Sequence, residues 1–393
     1  MICIIGAKMK KKWASIILLL VLSSLAVTLP NVGIVKAEST IYIRADGSVE
    51  GTDKIQRTGN IYSFTDNIDG SIVVERDNIV VDGAGYSIEG PHNGIAQSSE
   101  GIGILVEGRS KVTISNVAIQ NFLYGVYING SSNNLITKSN ITNNNNGIII
   151  EHSSLCIIRE SQITNNIDVG IYVLESPDTH IQYSVIADNV NDGINVFFAS
   201  TKLEDHEHSD IGYCEIRDNK VGIRIMNSLN PSFRPHISDN NITNNIIGVQ
   251  LEASSASISF NNILNNNVGI QLAGSDNHID HNNFINNTKQ VYDIAWDNPE
   301  MTPSVNTWYE GDTGNYWSDY NGTGETPYVI DENNQDNFPT KNPLRIPNQP
   351  FPNLTSEDFI VSMAFWLVIL MAVVGVILLV YFRRSRNIGK IKK

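Results

Sequence analysis

Glu204, Asp205, His206, Glu207 and His208 put two imidazoles and three carboxylates into five consecutive residues. A His-x-His pair flanked by acids suits a divalent ion such as zinc or copper(II). Three more residues join the pair if the chain repeats in a fixed register. The position before one recurrent isoleucine reads His180, Asp210 and His236 down successive repeats. If outward on stacked strands, they form a column one strand spacing (~4.8 Å) apart. The candidate metal site is therefore His180, His206, His208, Asp210 and His236. Its plain alternative is a solvated charged turn beside ordinary surface histidines. The same side chains read as an acid and a base acting on a sugar. Chemistry on acidic sugars also needs cationic clamps, and only Lys202, Arg217, Arg224 and Arg234 are near. No carboxylate pair at glycosidase spacing is legible, so no residue is assigned a catalytic role.

Two other groups invite ligands. Asp331, Asn333, Gln335 and Asp336 offer oxygen donors for calcium in one loop, without the glycine and terminal glutamate of an EF-hand. Tyr127 and Tyr172 are expected to face outward from one sheet, two coils apart. Of Phe197 and Phe198, one is expected to face out. Aromatic rings of this kind stack on sugars, so the four are candidate glycan-binding residues. Lateral packing is the alternative.

These side chains depend on a repeat to position them. NITNNNNGIII, at 140–150, returns as SQITNNIDVGIYV, NNITNNIIGVQL and NNILNNNVGIQL. A glycine falls at 103, 125, 147, 170, 193, 222, 248 and 269, with spacings of 22, 22, 23, 23, 29, 26 and 21. Two apolar markers keep the same phase: Ile119 to Phe284, and Ile114 to Ile279. A period near 22 with short β-rich segments predicts one coil of a parallel β-helix with three strands per coil. A helical solenoid would not tolerate this much Asn and Gly. In the last strand Ile148 and Ile150 are expected inward and Ile149 outward. Asn143, Asn165, Asn244, Asn265 and Asn286 share one position. There the chain must bend, and Asn tolerates the left-handed conformation. Stacked amides at that position can also form ladders, and the glycine relieves the next corner. The 29- and 26-residue coils carry the insertions TKLEDHEH and SLNPSFRP after the same strand. Both should emerge side by side, where repeat proteins usually bind.

The ends set the compartment. Residues 1–37 read as a signal peptide, with Lys8 to Lys12 before an apolar run; an uncleaved anchor is the alternative. Residues 359–382 are uncharged and long enough to cross a ~30 Å hydrocarbon layer. The basic tail 383–393 should then be cytoplasmic. Between them lie an N-terminal cap with the first coils (38–100), the repeats (101–295), an aromatic-rich cap (296–339) and a linker (340–358). Eleven of the 27 basic residues sit in the termini, leaving 16 against 41 acidic residues, a net −25. That argues against nucleic acid and polyanionic sugars as partners. It favours solubility, cations and neutral glycans. Three cysteines, one of them in the signal, are too few for a disulfide framework.

The repeats together with GNYWSDY and TPYVIDENNQDNFP resemble the NosD-type family of β-helix proteins, also described as carbohydrate-binding and sugar-hydrolase domains. The resemblance covers about 41–339. It implies a pectin-lyase-like, right-handed parallel β-helix. The family is associated with periplasmic copper delivery to nitrous oxide reductase, while membrane-anchored relatives look like archaeal surface proteins. This chain departs from the copper type in its anchor and in lacking a Met- or Cys-rich tract. The resulting expectation is an all-β protein, a right-handed single-stranded parallel β-helix with a C-terminal transmembrane helix. It would bind glycan or envelope components at the cell surface. The alternatives are a copper- or zinc-binding accessory protein and a polysaccharide-modifying enzyme.

Overall fold

The computed structural model describes residues 40–90, 101–198, 209–227, 234–253, 255–298 and 300–346. The signal-like run, the membrane-span candidate 359–382, the basic tail, and the insertion residues 199–208 and 228–233 lie outside the described residues. Among the described residues no helix is long and apolar enough to cross a membrane.

Each coil contributes one short strand to each of three sheets. Sheet A has 12 strands, including Tyr124–Asn129, Asn146–Glu151, Ile171–Leu174, Asp192–Phe198, Val221–Asn227 and Ile247–Glu252. Sheet B has 11, ending at His278–Asp280, and sheet C has 11, ending at Tyr316–Trp317. A strand pairs in parallel with its counterpart one coil later: Ile114 with Ile136, Ile119 with Ile141, Val126 with Ile148. The result is a parallel β-solenoid of about nine turns, each of about 23 residues. Near the amino-terminal end, Ile41–Ile43 pairs antiparallel with Val49–Glu50, and Ile55–Thr58 with Ile61–Phe64. These hairpins occupy edges that would otherwise be open.

Alternation explains the core. The marker residues Ile114 to Ile279 in sheet B and Ile119 to Phe284 in sheet C are at most 1 % exposed. In sheet A, Ile148 and Ile150 face the core. Ile149 faces out, yet is only 5 % exposed, because it lies in register between Tyr127 and Tyr172.

The corners divide the work of the asparagines between adjacent positions. Asn143, Asn165, Asn244, Asn265 and Asn286 have φ between 53° and 58°, so they make the bend. The ladder lies one residue later, in Asn144, Asn166, Asn189, Asn219, Asn245, Asn266 and Asn287, all at most 8 % exposed. Each of these amides, from Asn166 on, accepts from the backbone N–H of its predecessor one coil earlier. Each donates to a carbonyl that the corner would otherwise leave unpaired, such as Ile186 O from Asn219. Buried backbone groups require such partners. A second column at the corner between sheets B and C runs Asn240, Asn261, Asn282, Asn315. The repeat glycines are needed for close approach and not for a left-handed bend. A Cβ on Gly193 would lie 2.7 Å from Gly222 O, and the other repeat glycines are alike.

At the far end Phe284, Trp317 and Tyr328 form a continuous stack, with centroids 4.3 and 4.1 Å apart. Trp308 is buried beside Trp317. These rings lie against the apolar interior of the last coil.

Candidate functional site

The outer face of sheet A carries two parallel columns. One runs Tyr127, Ile149, Tyr172, Asn195, Arg224, Gln250. The other runs Glu151, Leu174, Phe197, Met226, Glu252. Tyr127 and Tyr172 therefore face out two coils apart, and Phe197 faces out while Phe198 is fully buried. Together Tyr172, Leu174, Phe197 and Met226 make an apolar shelf across the middle coils. It lies beside the strand ends from which both insertions leave. The Tyr127 hydroxyl donates to Glu151 Oε2 at 2.6 Å. Partial burial, then Glu151, raises the phenol pKa. Burial raises Tyr172 likewise.

Next to the shelf is a polar network that sequence reasoning missed. Arg224 Nε and Nη2 donate to the two oxygens of Asp192, at 2.7 and 3.1 Å. Asn195 Nδ2 donates to Asp192 Oδ2 at 2.8 Å. Gln250 Nε2 donates to Glu252 Oε1 at 2.6 Å, which lies 3.6 Å from Arg224 Nη1. Asn195 Oδ1 is buried without a hydrogen bond among the described residues. Asp192 lies in register with Val221 and Arg224 with Asn195, so the fork reaches three residues along the strand across a lengthened coil, and the sequence register did not show it.

The histidine column forms in the register expected. His180 pairs with Asp210, and Asp210 with His236. His180 Nδ1 lies 2.9 Å from Asp210 Oδ2, out of line for a well-directed hydrogen bond. His236 Nδ1 lies 3.9 Å from Oδ1. Asp210 raises the His180 pKa against partial burial. The carboxylate stands between the two imidazoles, and these three side chains do not bring their ligand atoms within 4.8 Å of one another. His206 and His208 lie outside the described residues. Lys202 does too. Arg217 is held by Asp218, Glu215 and Asp188, so it is not a free clamp.

The loop considered for calcium does structural work. Asp331 Oδ1 accepts from Asn333 N and Asn334 N at 2.8 and 2.9 Å. Asp336 is fully buried. Its Oδ2 accepts from Asn315 N and Trp317 Nε1, and its Oδ1 from Phe338 N. It ends the second asparagine column, and burial raises its pKa. Asn333 and Gln335 are exposed. A cleft of about 480 Å³ opens beside this loop, lined in part by Lys289, Tyr292, Trp296 and Asp319. Its Asp293 caps the helix Ile294–Asp297 and bonds Ser304.

Comparison with known proteins adds the following. Residues 77–206 match the family model described as right handed beta helix region, and residues 227–322 match that described as periplasmic copper-binding protein (NosD). No curated protein matches the chain. Similar solved structures include the periplasmic alginate epimerase AlgG, at 15 % identity over 62 % of this chain and 68 % of that one, with a TM-score of 0.45. Pectate lyase Pel9A has 16 % identity over 74 % of this chain and 76 % of that one, with a TM-score of 0.48. The catalytic unit of an α-1,3-glucanase from Streptomyces thermodiastaticus has 12 % identity over 72 % and 65 %, with a TM-score of 0.45.

The donor set bears on copper. Copper(I) favours thiolate and thioether ligands. Cys156 and Cys214 are buried, and burial pushes their thiols up to about 11 and about 12. They are core residues and not ligands. The histidines and carboxylates that remain suit copper(II) or zinc.

Proposed function

We propose that this chain, a right-handed β-helix protein with a NosD-type segment, is a binding protein that holds a neutral glycan along the outer face of sheet A. The observation that carries this is the shelf of Tyr172, Leu174, Phe197 and Met226 in register beside the Asp192–Asn195–Arg224–Gln250 network. Apolar and aromatic surface takes the faces of sugar rings, and fixed polar side chains select hydroxyl geometry. Charge argues for a neutral ligand. Glu107, Glu151 and Glu252 border the face, and its arginine is already bonded to Asp192. A polyuronate would meet those carboxylates, with Arg224 engaged by Asp192 and Arg217 by its acidic neighbours. The same deficit argues against lyase or epimerase chemistry on acidic sugars, whose developing charge needs stabilisation. The sequence at the termini supports a location outside the cytoplasm, with 359–382 as anchor and an envelope glycan as partner.

The test uses the full chain in nanodiscs against a neutral β-glucan, a mannan, alginate and polygalacturonate, by calorimetry. Binding to a neutral polymer is expected. Tyr172→Ala and Phe197→Ala should each weaken it by about tenfold, which corresponds to about 1.4 kcal/mol. Binding confined to the polyuronates, or indifferent to both substitutions, would overturn the reading.

A further inference from the structure

A separate cluster lies on the last coil of sheet B. His278 and Asp280 are two apart on one strand, so both side chains stand on the face opposite the buried Ile279. A loop of the C-terminal cap is tied across them. Ile279 N donates to Thr307 O, Thr307 N to Asn277 O, and His281 N to Gly314 O. Glu310 and Thr313 close the loop by exchanging backbone hydrogen bonds at 2.9 and 3.1 Å. This brings Glu310 to the pair: one ligand atom from each of His278, Asp280 and Glu310 lies within 4.8 Å of the others.

The charges in this cluster are unbalanced. The Asp280 side chain is only 3 % exposed, and its ion-pair partners among the described residues are two imidazoles: His281 Nδ1 at 2.5 Å and His278 Nε2 at 3.6 Å. No lysine or arginine among the described residues pairs with Asp280 or Glu310. A buried carboxylate beside a second carboxylate is stabilised by a cation placed between them. The buried ligand of the cluster is also held in place by its neighbours. His281 holds one oxygen of Asp280, and its ring stacks on Phe260 at 4.9 Å, so the carboxylate is oriented from behind.

We propose that His278, Asp280 and Glu310 bind a divalent transition ion, zinc or copper(II). One nitrogen and two carboxylate oxygens form an open set that suits these ions and leaves room for water. His278 and Glu310 are exposed enough for an ion to enter. The bound ion ties the cap loop to the last coil. This site is distinct from the His180–Asp210–His236 column and does not depend on glycan binding.

The experiment loads the untagged full-length protein with zinc or with copper(II), dialyses it against metal-free buffer, and measures retained metal and melting temperature. About one equivalent should be retained, with a higher melting temperature, as for any ligand of the folded state. His278→Gln and Glu310→Gln should each lower retention at least tenfold and abolish the shift. Glu310 is on an exposed loop, so its variant keeps the fold even if His278→Gln does not. Copper(II) electron paramagnetic resonance should show nitrogen coupling that His278→Gln removes. No retained metal would overturn the assignment. So would retention unchanged by both variants, or lost only on changing His206 and His208.

Discussion

Adjacent asparagines in one corner should differ sharply in their contribution to stability. Asn245 is 2 % exposed. Its Oδ1 accepts from Asn219 N at 2.9 Å and Asn219 Nδ2 at 3.2 Å. Its Nδ2 donates to Ile216 O, Thr243 O and Asn266 Oδ1, each at 3.1 Å. In Asn245→Ala some of these partners keep another bond. Asn219 Nδ2 retains Ile186 O and Arg217 O, and Asn266 Oδ1 retains Asn245 N. The Asn219 N–H is left buried without an acceptor, which alone costs about 1–3 kcal/mol. Adding the lost bonds to Ile216 O and Thr243 O brings the expected loss to about 3 kcal/mol. Asn244 is exposed, with φ 57°. Asn244→Ala meets only the left-handed penalty for a residue with Cβ, about 1 kcal/mol. Urea unfolding followed by circular dichroism, at unchanged m-value, should therefore show Asn245→Ala the more destabilised by about 2 kcal/mol. Amide exchange should accelerate at Asn219. Equal losses, or a larger loss for Asn244→Ala, would refute the division between bend and ladder.

Two further outcomes are expected. Gly193→Ala places a Cβ 2.7 Å from Gly222 O and 2.9 Å from Asn219 Nδ2; overpacking against backbone should cost about 2 kcal/mol, read as a lowered melting temperature. His180 has its pKa raised above 6.5 mainly by Asp210, with Asp178 adding to it and His236 across the same carboxylate. The stabilisation from this pair is fully present below pH 6.5 and is lost as pH rises through the raised value. Melting temperature against pH should show that fall, and Asp210→Asn should flatten it.

What the sequence disclosed follows from how a solenoid is built. Each coil contacts mainly its neighbours, so a fixed period gives register directly. The column His180–Asp210–His236, the outward Tyr127 and Tyr172, and the inward markers were legible because side-chain direction alternates by two. The ladder was legible only as a possibility. In NITNNNN the bend residue Asn143 and the ladder residue Asn144 have the same side chain, so composition cannot separate their roles. The glycines were misread for a similar reason: glycine permits both a left-handed bend and close approach, and only coordinates show the oxygen that a Cβ would strike. The Asp192–Arg224 fork depends on side-chain reach across a lengthened coil. Glu310 comes to His278 through a cap loop that has no repeat, so no spacing rule could have placed it. In the oxygen-rich loop Asp331–Asp336, the carboxylates of Asp331 and Asp336 bond backbone and side-chain N–H groups of the cap, a role that composition does not show.

The central claim is that the outer face of sheet A is where a glycan lies. Hydroxyl-radical footprinting of the full chain, with and without the neutral polysaccharide that binds best, tests it most directly because it reads side-chain exposure ring by ring. Protection is expected at Tyr127, Tyr172, Phe197 and Met226, with none at the stacked pair Tyr183 and Tyr213 near sheet B or at Trp296 in the cap cleft. Protection of Trp296 and Tyr292, with sheet A unchanged, would contradict the account.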